Sequence, residues 1–227
     1  MRPGPPTSSA VGSAPPRSHE GFANYAEGLY TECLFGKGAG AAYVRGTRAL
    51  VLNDRPIVGR YGVNEKGSGD MYYKGGNMLH TIRQLVNDDA RWRRVLRGLN
   101  ETFRHEVVTG AEVQAYMSRE TGMDLSAVFA QYLTTTRIPV LEYAVTGSTL
   151  AYRWADVVPG FAMPVAVTLA DSGFARLQPT GEWRTAPLAL RDPRHFAVHP
   201  DYYVLAREVA PPDPTPAGAR PAANGPP

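Results

Sequence analysis

"SHEGFANYAE", Ser18 to Glu27, is the first stretch of the chain with the pattern of a folded segment. It opens on a His-Glu pair, as the zinc-protease signature H-E-x-x-H does, but Ala23 stands where the second histidine would fall. Phe22, Tyr25, Ala26, Leu29, Tyr30, Cys33 and Leu34 recur at three- and four-residue steps until Gly36 and Gly38, the period of an amphipathic helix. On that helix Glu20, Asn24 and Glu27 share a face. Cys33, among Leu29, Leu34 and Phe35, is expected as a small buried hydrophobe. As the single cysteine it excludes an intramolecular disulfide and any cysteine-based zinc cluster.

Upstream of this stretch, 11 of the first 18 residues are Pro, Gly or Ser, with no apolar core of signal-peptide length. At the other end, "PPDPTPAGARPAANGPP" from Pro211 has seven prolines in 17 residues. Residues 1–18 and 210–227 are therefore expected to be disordered, since such composition buries too little surface to fold. The 227 residues between and including these ends are 43% hydrophobic and 20% charged, the balance of a globular protein with a real core. No apolar run approaches the length of a membrane span. A net charge of +3 is mild, and Arg91, Arg93, Arg94, Arg97 and Arg104 follow the pattern of a solvated helix face, which argues against a nucleic-acid partner.

From residue 19 to 137 the period stays helical. A second helix is expected over Ala41–Leu52, a long Gly- and Asn-rich loop over Asn53–Asp70, and a third helix over Lys74–Leu85. Asp88 or Asp89 caps a fourth helix whose inner face is Trp92, Val95, Leu96, Leu99 and Phe103. Thr109-Gly110-Ala111-Glu112 fits a capping box ahead of a fifth, Gly122 stops it, and Asp124 starts a sixth. After Pro139 the period changes to two: Leu141, Tyr143 and Val145 alternate, Gly147-Ser148 turns, and Leu150, Tyr152 and Trp154 alternate again. Short segments at Met163–Leu169, Phe174–Leu177, Leu188–Leu190 and Tyr202–Leu205 complete a small antiparallel β-sandwich over 138–209. The fold class read from this order is α+β.

A second cluster, "GDMYYKGGNMLHTIRQ" (Gly69–Gln84), places two tyrosines and a lysine before a Gly pair at a helix start. "HEGFANYAE" and "YYKG", in this order, resemble the aminopeptidase N family of zinc metallopeptidases, the gluzincins. There, H-E-x-x-H supplies two histidine ligands and the general-base glutamate, and a later helix of the kind N-E-G-F-A-x-Y-x-E supplies the third ligand. The resemblance implies that Glu20 is a zinc-binding carboxylate and that Glu27, His19 and Asn24 stand just behind it. Through the family's Y-x-K-G, it makes Tyr72, 52 positions after Glu20, the phenol that donates to the oxyanion. It also implies the C-terminal helical half of a thermolysin-like catalytic domain followed by the β-sandwich, zinc as cofactor, and peptides as substrates whose N-terminal residues are removed.

The other ligands are not in this sequence. His19, His80, His105, His195 and His199 are its histidines, and none lies in H-E-x-x-H. The family's G-x-M-E-N segment and its general base are absent too. The expectation is a partial metalloaminopeptidase, inactive alone and holding zinc weakly or not at all. Against it stands a non-catalytic helical and β-sandwich binding or adaptor module, with an exposed apolar face prone to self-association.

Overall fold

The computed structural model describes residues 19–59 and 68–212. The disorder expected for 1–18 and for the tail beyond 212, and the rest of the Asn53–Asp70 loop, fall outside the described residues. Among the described residues six α-helices come first: α1 (His19–Phe35), α2 (Lys37–Gly46), α3 (Asp70–Val86), α4 (Asp89–Thr102), α5 (Gly110–Thr121) and α6 (Ser126–Thr134). Six strands follow: β1 (Val140–Thr146), β2 (Thr149–Ala155), β3 (Val165–Ala170), β4 (Gly173–Leu177), β5 (Arg184–Pro187) and β6 (Leu205–Glu208). The α+β order expected from the change of period is present, and among the described residues no helix is long and apolar enough to cross a membrane.

The helix ends follow the chemistry written at them. Asp88 caps α4 by accepting from the Arg91 amide at 2.9 Å. Thr109 and Glu112 close the capping box of α5, and Gly122 ends that helix in the left-handed region, at φ 63°. Two helices shift from expectation. The segment expected over Ala41–Leu52 begins earlier, at Lys37, and tightens into a 3-10 turn over Thr47–Leu50. The helix expected from Lys74 starts at Asp70, so Tyr72 and Tyr73 lie on helix and not in the preceding loop.

Cys33 is exposed, against expectation. The reason is the way α1 packs. A Cβ built on Gly21 would stand 3.1 Å from Gly75 Cα, and one on Gly40 would stand 2.8 Å from the Gly28 carbonyl oxygen. These backbone-to-backbone approaches turn Gly21, Asn24, Tyr25 and Gly28 inward, and the large apolar side chains Tyr30, Leu34 and Phe35 outward.

In the β region β1 and β2 form the expected hairpin, pairing Leu141 with Trp154, Tyr143 with Tyr152 and Val145 with Leu150. The four-stranded sheet runs β5-β2-β1-β6, with β3 and β4 as a separate antiparallel pair. β6 lies parallel to β1, which makes the larger sheet mixed. One apolar core runs through both regions, from Tyr25, Leu79 and Trp92 to Leu141, Trp154 and Val165. Hydrogen bonds cross between them as well: Tyr132 donates its hydroxyl to the Tyr203 carbonyl at 2.6 Å, and the Tyr203 amide donates to Thr81 Oγ1 at 2.9 Å.

Candidate functional site

The crossing of α1 and α3 builds the site. Gly21 and Gly75 let the two backbones touch, and a Cβ on Gly76 would stand 2.6 Å from Asn24 Oδ1. The helix face that holds Glu20, Asn24 and Glu27 therefore lies alongside the first two turns of α3, which carry Tyr72 and Tyr73. Beside this crossing a cleft of about 490 Å³ opens, walled by Asn24, Glu27, Tyr43, Thr47, Tyr72 and Tyr73 among others.

Within the cleft Glu27 is the acceptor. Asn24 Nδ2 donates to its Oε2 at 3.3 Å and the Tyr43 hydroxyl at 2.5 Å. The bond to Glu27 holds Tyr43 above the ordinary phenol range, since the carboxylate stabilises the protonated hydroxyl. Tyr72 is 38% exposed, and its ring lies 6.4 Å from that of Tyr73. Of the residues singled out by sequence, Asn24, Glu27 and Tyr72 thus share one cleft. Glu20 is half-buried one turn before Asn24, at the crossing itself. His19 opens α1.

Sequence reasoning missed Tyr43 and Tyr73 as cleft walls. Tyr73 was visible beside Tyr72, but Tyr43 reaches Glu27 only because Gly28 and Gly40 draw α2 against α1. It also left Lys74 without chemistry. Lys74 is fully buried, with Nζ 2.7 Å from the Thr135 carbonyl. Among the described residues no group of three or more His, Cys, Asp or Glu side chains is placed to hold a metal ion. The donor set of these residues does not by itself fit a catalytic zinc centre, which takes three protein ligands and an open position.

No protein-family model matches the chain, and no curated protein matches it. A solved structure does: Legionella pneumophila aminopeptidase A, in complex with aspartic acid, superposes with a TM-score of 0.59 at 15% sequence identity. The match covers 83% of this chain and 23% of that one, so the likeness is one of fold and the chain spans less than a quarter of its neighbour's length.

Proposed function

We propose that this chain is part of a zinc metalloaminopeptidase of the gluzincin kind, carrying the third metal ligand and the oxyanion donor of a peptide-hydrolysing site. The observation that carries the reading is the glycine crossing of α1 and α3, which sets the Glu20 turn beside the Tyr72 turn. The fold likeness to an aminopeptidase supports it. In this reading Glu20 supplies one carboxylate and two further donors come from polypeptide outside these residues. Tyr72 gives a hydrogen bond to the oxygen that gains charge as the peptide carbonyl is attacked, an interaction of about 3 kcal/mol in comparable oxyanion sites. Glu27 and Asn24 brace the ligand helix from the cleft.

The 227-residue chain alone is expected not to hydrolyse an aminoacyl anilide, with or without added zinc. Zinc-dependent turnover by that chain, abolished in Glu20→Ala, would overturn the partial-site reading. Joined to an upstream segment bearing H-E-x-x-H, the protein should gain zinc-dependent turnover. Glu20→Ala should remove it, and Tyr72→Phe should lower kcat by about 100-fold or more. Full activity in both variants would end the proposal.

A second reading is a non-catalytic binding module. Tyr30 at 67% exposure, Leu34 at 54% and Phe35 at 74% leave the outer side of α1 apolar. A purified chain that is monomeric by light scattering and melts cooperatively without metal favours the module; one that associates through this face, and stops doing so in Tyr30→Ser and Phe35→Ser, favours the partial enzyme.

A further inference from the structure

The first two turns of α3 hold two opposite charges cut off from water. Asp70 and Lys74 are both 0% exposed and stand four residues apart, on one side of the helix. Their outer ends grip different parts of the molecule. Asp70 accepts from the amides of Leu52 and Asn53 at 2.8 and 2.7 Å, fastening α3 to the segment after the 3-10 turn. Lys74 donates to the carbonyl of Thr135, the residue just beyond α6. The next residue, Gly75, abuts Gly21 of α1. Tyr72 sits in the chain between the two anchored residues, on the turn that walls the cleft.

We infer that Lys74 is the positioning residue for Tyr72: its ammonium, tied to Thr135, sets the turn of α3 that presents the phenol to the cleft, and losing its proton shifts that turn. A neutral amine keeps a donor but gives up the charge-assisted part of the bond, about half its strength. Burial pulls the Lys74 pKa down to about 8, with Asp70 opposing, so release falls in mildly alkaline solution. Among the described residues the groups near the ammonium are few. Asp70 lies on its own helix, held by two backbone amides. Thr135, just beyond α6, presents a neutral carbonyl; α1 presents Gly21 at the contact with the Glu20 carboxylate beside it; and the Tyr203 phenol from the β region lies near Asp70.

The functional weight of Tyr72 rests on the peptidase reading above; the coupling of Lys74 to Tyr72 does not, and its test uses neither metal nor substrate. The chain has three lysines, Lys37, Lys66 and Lys74, so their ε-amines can be followed singly by nuclear magnetic resonance between pH 6.5 and 9.5. The protein would carry nitrogen-15 tyrosine, with the Tyr72 backbone amide signal assigned by Tyr72→Phe. We expect the Lys74 amine to titrate near pH 8 and the Tyr72 amide signal to move with the same midpoint. In Lys74→Arg, charged throughout, the signal should stay at its low-pH position. In Lys74→Met it should show no step and match the high-pH form. A Tyr72 signal unmoved while Lys74 titrates, or a step that survives in Lys74→Met, overturns the inference. Should either variant fail to fold, the wild-type titration alone decides.

Discussion

The helical and β regions are both well packed, but they bury different things. Among the described residues the helical region hides eleven polar or charged side chains and the β region two, Glu142 and Asp201. Six of the eleven lie on α3: Asp70, Lys74, Asn77, His80, Thr81 and Arg83. Most are satisfied by specific partners. Asn77 donates to Tyr73 and Val44 carbonyls and to Thr47, and accepts from Arg48. Arg83 takes Glu32 in a two-pronged pair and Asp89 on its Nε. In the β region Trp154, Leu141, Leu150 and Val165 fill the interior by shape. An apolar core accepts several side chains of similar volume, whereas a buried hydrogen bond is satisfied in one register. The difference teaches that α3 is held in a single rotation and height, which a helix presenting a working side chain requires.

That contrast can be broken by substitution. The largest effect is expected for Asp70→Ala, which orphans two backbone amides and leaves Lys74 buried without its counter-charge. Stability should fall by about 3–5 kcal/mol in urea unfolding, and a loss under 1 would dissolve the contrast. Asn77→Leu, close in size, should cost about 2–3 kcal/mol by stranding Arg48 and Thr47. Gly75→Val should cost about 1–3 kcal/mol, because α1 must shift to admit the side chain. The counterpart in the β core, Leu150→Met, should cost less than about 1.5 kcal/mol.

Solution pH sharpens the same point more gently. Lys74 has a folded pKa depressed to about 8 from 10.5, so between those values the unfolded chain binds more protons. Its contribution to stability therefore grows as pH rises through that window, by at most about 1.4 kcal/mol per unit, and is lost as pH falls back through 8. Buried tyrosines act in the opposite sense only above their ordinary value of 10.0; Tyr25, pushed up to about 12 by burial, is one. Between pH 7.5 and 9.5 the melting temperature of wild type should rise relative to that of Lys74→Met, and parallel curves would contradict the assignment.

What could be read in advance was local. The capping box at Thr109, the cap at Asp88, the stop at Gly122 and the hairpin around Gly147 each depend on residues a few positions apart, and all are present. The pairing of the cleft residues Asn24 and Glu27 was legible for the same reason. What stayed hidden depends on distant partners. Nothing local in the sequence reveals the burial of Lys74, because Thr135, its partner, lies 61 positions on. Cys33 reads as buried because its neighbours are apolar, but glycine contacts at Gly21 and Gly28 decide which side of α1 faces inward. The parallel seating of β6 against β1 could not be seen in a pattern of alternation, which is blind to strand direction.

The stretch from His199 to Val209 has a mechanical consequence. Before pairing with β1, it passes over the helices, where Asp201 binds Arg45 and Tyr203 clasps Thr81 and Tyr132. It works like a buckle: the last described stretch of polypeptide closes over α2, α3 and α6. Trimming the chain back to Ala197 should loosen the sheet and the helices in the same stroke, and a helical fragment expressed without this buckle should lose its sharp melting transition.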